Sequence, residues 1–531
     1  MSSSPRLLLS GNEAIALAAR NAGVGLGCGY PGTPSTEILE RFSELGGKAQ
    51  WSPNEKVALE VGLGAAYAGA AAIVTMKHVG LNVAADPLFT AAYTGVNGAL
   101  VLVCADDPGM ASSQNEQDNR RYAVAAGVIM LEPSDSQEAY DFTLAALSIS
   151  HGRRLPVMLR VTTRVCHSKT IVNPAKPDMK WKAEFQRDIA RLVMIPSNAR
   201  KAHRRLRQSL NEVAAWNEQS DLNVVFDRGR ELGVIASGIA FQHAMEAAPD
   251  ASVLKLGMTH PLPMQRIRNF AESFKRCVVI EEGDPYLADA IRSAGIQVES
   301  KSEMYRFGEL NVERVRRILA NDVSPEAAPL PGKPPQLCVG CPHRVTFEAL
   351  RDLGCIVAGD IGCYTLGVLP PFEAMDTCVC MGASITVALG MRQCLPPEQA
   401  RKVVSVIGDS TFVHSGLTGL VEMVYNPPAS GHVVVILDNG TTAMTGLQEH
   451  AGTGRTLDHK PANRVVFEDV ARAMGISNIR VVDPLKDAAG VSAAISESLA
   501  SGELCLVIVR RPCLLAAKRI KQYEAALKDG K

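Results

Sequence analysis

The chain has 531 residues and a mass of 56.7 kDa, which is enough for about three or four domains. Apolar residues make up 47% and charged residues 21%, which excludes disordered, collagen-like and coiled-coil classes. Basic and acidic residues balance at 55 each, which argues against a protein that binds nucleic acid through its phosphate backbone.

Residues 61–74 are the longest apolar run, and they are too few to span a bilayer, so no membrane contact is expected. The amino terminus holds only three consecutive leucines, which is not typical of a secretory signal. The predicted location is therefore cytoplasmic. In that reducing compartment, clustered cysteines are interpreted as metal or redox ligands in preference to disulfides.

Residues 1–190 form the first predicted block. Short β-branched runs at 72–75, 99–104 and 155–161 alternate with helical patterns rich in glycine and alanine. Strands that alternate with helices predict an α/β domain whose parallel sheet is flanked by helices.

Four positions of this block are candidates for chemistry, and two of them have a competing neighbour. The tight turn around Thr33 exposes backbone N–H and hydroxyl groups. Glu55 follows a proline at the start of a predicted helix, and Glu60 competes with it further along that helix. His78 lies in a predicted strand-to-helix loop, where it either donates a proton or caps the helix. Arg120, or Arg121 beside it, either binds a carboxylate with two hydrogen bonds or forms a surface salt bridge.

Residues 191–330 form the second block. The basic, polar segment 174–207 predicts a connecting arm, and runs at 232–237, 252–256 and 277–280 predict the strands of a small α/β domain. Five prolines between residues 325 and 335 then predict a stiff linker.

Residues 336–531 form the third block, where two predicted strands each end in a polar side chain. Asp409 follows the run 403–407, and Asn439 follows the run 432–437. Adjacent parallel strands deliver their carboxyl ends to one sheet edge, where ligands bind in open α/β sheets. Carboxylate and amide oxygens suit Mg²⁺, and Gly408 allows the backbone to approach a diphosphate.

A set of cysteines in the third block is predicted to converge. Four thiolates suit a 4Fe–4S cluster or structural zinc, and their spacing does not choose between the two. Cys378 and Cys380 are spare ligands that leave the fourth position open. The four favoured residues are Cys338, Cys341, Cys363 and Cys513.

These motifs resemble those of a known enzyme family. Asp409 and Asn439, 30 residues apart, resemble the thiamine diphosphate motif, although Ser410 replaces its second glycine and Asp438 its first asparagine. Other runs resemble the thiamine-diphosphate-dependent 2-oxoacid:ferredoxin oxidoreductases, and most of all the large subunits of their indolepyruvate branch. These runs are Gly29-Tyr-Pro-Gly-Thr-Pro-Ser-Thr36, Val74-Thr-Met-Lys-His-Val-Gly-Leu-Asn-Val83, Gln114-Asn-Glu-Gln-Asp-Asn119, Cys341-Pro-His-Arg344, Gly408-Asp-Ser-Thr-Phe412 and Thr442-Ala-Met-Thr-Gly446.

The resemblance implies roles for the candidate residues. Glu55 is the acid that activates the aminopyrimidine of thiamine diphosphate, and Thr33 meets the substrate carboxylate. The Thr441 carbonyl is the third protein ligand of Mg²⁺. The cysteine order implies the proximal 4Fe–4S cluster rather than zinc. The blocks are then a pyrimidine-binding domain, a transketolase C-terminal-like domain with its preceding linker, and a diphosphate- and magnesium-binding domain.

The implied reaction is the oxidative decarboxylation of an aryl 2-oxo acid to its acyl-coenzyme A. The implied partners are a small β subunit and ferredoxin or a separate electron-carrier subunit, in a homodimer of heterodimers. No closely spaced cysteines follow Cys513, so a ferredoxin-like domain is not expected within the chain. Two alternatives stay open at this point: a non-redox thiamine-dependent 2-oxoacid decarboxylase, and a non-catalytic electron-transfer or scaffold subunit.

Overall fold

The structure is a computed structural model that describes residues 6–175, 177–327 and 335–529. The chain forms two compact units, residues 1–328 and 329–531. The predicted fold class is confirmed, because both units are built on mostly parallel sheets flanked by helices. Within the described ranges, no helix is long and apolar enough to cross a membrane.

The larger sheet of the first unit has seven strands. In spatial order they are Met258–His260, Ile129–Leu131, Val157–Thr162, Ala99–Asp106, Ala71–Lys77, Leu26–Gly29 and Ala49–Trp51. All pairs are parallel except the one that Met258–His260 forms with Ile129–Leu131. The central strands are buried at every residue except Lys77, which explains their continuous apolar runs.

Two smaller sheets complete the first unit. Leu7–Ser10 and Lys169–Val172 form an antiparallel pair. The five-stranded sheet has the order Glu299–Ser300, Arg276–Ile280, Leu232–Ser237, Ser252–Leu256 and Val224–Phe226, with only the last strand antiparallel. The helices are Gly11–Asn21, Thr36–Glu44, Glu55–Tyr67, His78–Thr94, Arg120–Ala126, Ser136–Arg153, Thr163–His167, Ile189–Leu192, Pro196–Asn217, Gly238–Ala247, Met264–Ala271, Tyr286–Ser293 and Val312–Leu319, with a 3₁₀ helix at Glu303–Arg306.

The second unit contains one parallel sheet of six strands. Their spatial order is Thr377–Cys378, Ile356–Gly359, Val403–Gly408, His432–Asp438, Leu504–Arg510 and Asn478–Val482. Its α-helices are His343–Asp352, Ala383–Cys394, Pro397–Ala400, Asp409–Thr411, Leu417–Tyr425, Phe467–Ala473, Ala488–Ser501 and Ala517–Asp529. Cys363–Val368 and Ala443–Thr445 are 3₁₀ helices, and Phe412–Gly416 is a π-helical turn.

The last part of the predicted connecting arm, residues 196–207, belongs to a packed helix instead. Pro196–Asn217 is a helix of 22 residues that begins with its proline, where the missing N–H costs nothing. Leu206, Leu210 and Val213 recur at helical spacing and are buried. The basic residues of the helix are exposed, and they are Arg200, Lys201, Arg204, Arg205 and Arg207. The positive charge therefore marks the solvated face of a packed helix.

Candidate active site

The second unit brings Asp409 and Asn439 together at the carboxyl edge of its sheet. Their strands, Val403–Gly408 and His432–Asp438, are parallel neighbours. The backbone N–H of Gly440 donates to Asp409 Oδ2 at 2.7 Å. The two loops therefore meet directly, as the strand ends predicted.

Asp409 is a buried carboxylate in an environment that favours its charge. Burial alone would raise its pKa, but His450, whose Nε2 lies 3.3 Å from Oδ2, and the N–H groups of Ser410 and Gly440 together hold the pKa below its ordinary value. Asp438 faces another partner, because its Oδ2 accepts from Arg510 Nε at 2.7 Å. Asp409 is thus the anionic group at this edge that suits a cation.

The neighbouring side chains of the loop are also ordered. Asn439 Oδ1 accepts a hydrogen bond from the Thr441 N–H at 3.1 Å, and Thr442 Oγ1 donates to Ser410 Oγ at 2.8 Å. The first contact orders the Asn439 loop internally, and the second joins that loop to the Asp409 segment. Gly408 is also closely packed, since an added Cβ would lie 2.5 Å from the ring of Tyr364.

Four cysteines of the second unit line one cavity of about 120 Å³, together with His343 and Asn439. Burial raises the pKa of the Cys363 thiol to about 11, and the neighbouring thiols add to that shift. Cys378 and Cys380 do not line the cavity. The cavity cysteines are Cys338, Cys341, Cys363 and Cys513.

Local backbone structure turns these cysteines toward the cavity. The N–H of Cys341 donates to the carbonyl of Cys338 at 3.0 Å, and Gly340 between them has a φ of 75°, which favours glycine. Cys363 begins a 3₁₀ helix, and the N–H of Cys513 donates to the Asn439 carbonyl at 2.9 Å. In the described part of the chain, no three His, Cys, Asp or Glu side chains converge tightly enough to hold one metal ion.

In the first unit, Glu55 lies at the carboxyl edge of the seven-stranded sheet. It is the first residue of the helix Glu55–Tyr67, which Asn54 caps through a hydrogen bond from the Val57 N–H at 3.0 Å. The Glu55 side chain is only 5% exposed and lies against Gly80. Its competitor Glu60 is exposed and pairs with Lys56 on the surface.

Thr33 lies at the same edge, in a turn that hydrogen bonds hold rigid. Ser35 Oγ donates to the carbonyl of Gly32 at 3.0 Å, and the Gly32 N–H donates to Thr36 Oγ1 at 3.0 Å. A Cβ on Gly32 would lie 2.9 Å from Cβ of Lys77, so the turn packs against the end of the next strand. Thr33 itself is partly exposed.

His78 begins the helix His78–Thr94 and is fully buried. Its Nε2–H donates to the Asn115 carbonyl at 3.1 Å, which leaves Nδ1 as a buried acceptor without a hydrogen-bond partner. Burial lowers its pKa, so the ring is neutral at physiological pH. The structure therefore does not support His78 as a proton donor, although the residue does start a helix.

Arg120 is also not available to a substrate, contrary to its predicted role. The guanidinium is 1% exposed, with Asp118 within 2.9 Å of Nε and Glu281 2.8 Å from Nη1. Its Nη2 donates to backbone carbonyls. A buried guanidinium paired with two carboxylates joins the two larger sheets of the unit. Arg121 is exposed, near Asp284.

Two residues of the site were not predicted from the sequence. His343 is fully buried, and its Nε2 accepts from Asn439 Nδ2 at 3.3 Å. Asp360 accepts backbone N–H bonds from Gly382 and Ser384 at 2.8 and 3.0 Å, which anchors the loop that carries Cys363. His343 lies in the run Cys341-Pro-His-Arg344, and Asp360 lies three residues before Cys363, so a predicted cysteine ligand beside each was the available signal.

The contact of Glu55 with Gly80 predicts the effect of a single methyl group. A Cβ on Gly80 would lie 2.5 Å from Glu55 Oε1, so Gly80→Ala should displace the carboxylate and lower turnover at least about tenfold. Gly64→Ala is the matched control, because a Cβ there meets nothing within 4 Å. Steady-state turnover and the melting temperature of both variants test this. Equal turnover would show that the position of Glu55 does not matter.

Comparison with protein families supports these observations. A family model described as "Pyruvate flavodoxin/ferredoxin oxidoreductase, thiamine diP-bdg" matches residues 17–230. A second, described as "Thiamine pyrophosphate enzyme, C-terminal TPP binding domain", matches residues 360–509. The second match spans Asp409, Asn439 and Cys363.

Similar proteins are known along nearly the whole chain. "Indolepyruvate oxidoreductase subunit IorA" of Archaeoglobus fulgidus is 39% identical over 98% of this chain and 89% of the relative. The Pyrococcus abyssi protein of the same name is 37% identical over 99% and 88%. Among solved structures, the 2-oxoglutarate:ferredoxin oxidoreductase of Magnetococcus marinus shares the fold, with a TM-score of 0.51 and 17% identity over 60% of this chain and 65% of that one. The chain therefore belongs to the family of indolepyruvate oxidoreductase subunit IorA, thiamine-diphosphate-dependent 2-oxoacid oxidoreductases.

Proposed function

We propose that this chain is the large subunit of an enzyme that oxidatively decarboxylates an aryl 2-oxo acid of the indolepyruvate type. The products are CO₂ and the acyl-coenzyme A, and the electrons leave to ferredoxin or a separate carrier subunit. The names of the relatives support the substrate class. The observation that carries the proposal is that the cysteine cavity includes Asn439, so an electron acceptor would adjoin the diphosphate edge.

The residues at that edge fit a diphosphate held through Mg²⁺. Asp409 supplies an ionised carboxylate, Asn439 an amide oxygen and Thr441 a backbone carbonyl, which are all hard oxygen ligands. Gly408 and Ser410 line the same turn. Bound thiamine diphosphate supplies an electron sink for the loss of CO₂.

The residues of the first unit act on the substrate and on the ring of the cofactor. Glu55 is buried at the start of its helix, where it would hydrogen-bond the aminopyrimidine and exchange a proton with it. Thr33 binds the substrate carboxylate from its rigid turn. His78, neutral and buried, fixes the Asn115 loop beside them.

Four cysteines line one cavity, and four thiolates suit either a 4Fe–4S cluster or structural zinc. We favour the cluster because the proposed oxidation needs a one-electron acceptor. A bound 4Fe–4S cluster would supply that electron transfer, and zinc would not. The small β subunit and a homodimer of heterodimers complete the proposed assembly.

Anaerobic purification of the chain with its small subunit tests the proposal. We expect iron, sulfide and thiamine in the protein, and coenzyme A-dependent dye reduction that is fastest with arylpyruvates among several 2-oxo acids. A colourless protein that releases aldehyde without reducing the dye would indicate a non-redox decarboxylase. Absence of turnover with every 2-oxo acid would indicate a non-catalytic subunit.

A further inference from the structure

Asn439 is held by two of the cysteine-bearing segments at once. Its carbonyl accepts a hydrogen bond from the Cys513 N–H at 2.9 Å, which continues the pairing of the two strands past their ends. Its side-chain Nδ2 donates to His343 Nε2 at 3.3 Å, and His343 follows Cys341 by two residues. Both segments therefore fix the position of a residue at the diphosphate edge.

The third cysteine-bearing segment is tied to the same edge. The carbonyl of Ile361, two residues before Cys363, accepts from Thr411 Oγ1 at 3.0 Å. Thr411 belongs to the short helix that starts with Asp409. Asp409 and Asn439, the two side chains proposed to bind the cation, thus both lie in segments that hydrogen bonds connect to the cysteine-bearing segments.

His343 also decides which end of the Asn439 amide faces the cation. The backbone N–H of Thr441 donates to Asn439 Oδ1 at 3.1 Å, which leaves the amide NH₂ to donate to the unprotonated Nε2 of His343. The amide NH₂ therefore faces His343, and the amide oxygen faces the N–H of Thr441. Since an amide NH₂ cannot ligate Mg²⁺, a reversed amide would remove a ligand.

We propose that His343 is a positioning residue that couples the two cofactor sites, so that an occupied cysteine cavity strengthens the binding of thiamine diphosphate and Mg²⁺ at Asn439. An occupied cavity fixes Cys341 and Cys513, and through His343 and the Asn439 backbone it orders the amide before the cation arrives. The coupling is reciprocal by thermodynamic linkage, so the bound diphosphate also stabilises the cluster. The inference rests on the proposed function, because it requires both cofactors.

Binding measurements on the full chain test the coupling without relying on turnover. The dissociation constant of thiamine diphosphate with Mg²⁺ is measured by near-ultraviolet circular dichroism, on anaerobic iron-loaded protein and on the same protein after chelation of its iron. We expect about tenfold tighter binding in the iron-loaded form, within the usual range of such couplings. His343→Leu should reduce this ratio to less than twofold, while His343→Gln, which keeps an acceptor, should retain most of it.

A second buried histidine provides the control. His432 lies at the opposite end of the strand that leads to Asn439, and its Nε2 is hydrogen-bonded to Ser405 Oγ at 2.7 Å. His432→Leu should leave the ratio of the two dissociation constants unchanged, since a purely structural effect alters both constants together.

Three results would overturn the inference. They are a wild-type ratio near one, an unchanged ratio in His343→Leu, and an equal loss of the ratio in His432→Leu. If His343→Leu does not fold, the ratio of the two dissociation constants in the wild-type protein and in His343→Gln still tests the coupling. Protein that binds both cofactors independently contradicts only the coupling, whereas protein that binds neither contradicts the proposed function as well.

Discussion

Glu55→Gln should lower turnover by about 10³-fold while the diphosphate remains bound. Glutamine preserves the shape of the side chain but cannot exchange a proton with the aminopyrimidine, and acid–base groups of this kind contribute about 10²–10⁴-fold to rate. Glu55 opens its helix and lies buried against Gly80, so a neutral amide of the same size fits without moving the backbone. Substrate-dependent dye reduction, together with the thiamine content of the purified variant, measures both parts of the prediction.

Glu60→Gln is the control for this experiment. Glu60 lies on the same helix, but it is exposed and pairs with Lys56 at the surface, where an ion pair contributes about 1 kcal/mol or less to stability. Its replacement should change neither turnover nor thiamine content by more than about twofold. Normal activity in Glu55→Gln, or a loss confined to Glu60→Gln, would reassign the activating acid.

Cys363→Ala should lose most of the iron of the protein and nearly all substrate-dependent dye reduction. Cys363 starts the 3₁₀ helix Cys363–Val368 and lines the cysteine cavity. Alanine has no atom that can replace its sulfur as a ligand. The melting temperature should stay close to that of the unmodified protein even though the iron is lost, because the side chain is only partly buried. Iron and sulfide per chain, measured after anaerobic purification, test this expectation.

Cys380→Ala is the corresponding control, since Cys380 is exposed and does not line the cavity. It should keep its full iron content and its activity. If Cys363→Ala keeps its iron while Cys378→Ala or Cys380→Ala loses it, the ligand set must be reassigned.

The sequence predicted those features that depend on strand ends. The eight apolar runs became strands, including Val403–Gly408 and His432–Asp438, because buried parallel strands have continuous apolar sequences. Once those strands are parallel neighbours, Asp409 and Asn439 must lie at one edge. Shorter strands such as Leu26–Gly29 escaped prediction, because a glycine-rich run of four residues carries little strand signal.

The sequence could not reveal the partners of single polar residues. Arg120 pairs with Glu281, which is 161 positions away, so only the folded chain shows that the guanidinium is already occupied. The tautomer of His78 follows from the Asn115 carbonyl, which a sequence pattern does not encode. The helix Pro196–Asn217 is different, because the sequence does contain its signal. Leu206, Leu210 and Val213 recur at helical spacing, but the segment was interpreted as a solvated arm from its basic charge.

The antiparallel strand Met258–His260 has a practical consequence for anyone who divides this chain. It covers the outer side of Ile129–Leu131, which would otherwise present unpaired N–H and C=O groups along an open edge. A fragment that stops near residue 190 loses that cover, together with Glu281, one of the two carboxylates that pair with Arg120. Such a fragment would be prone to self-association, and proteolysis or truncation intended to isolate a stable portion should cut beyond residue 320 instead.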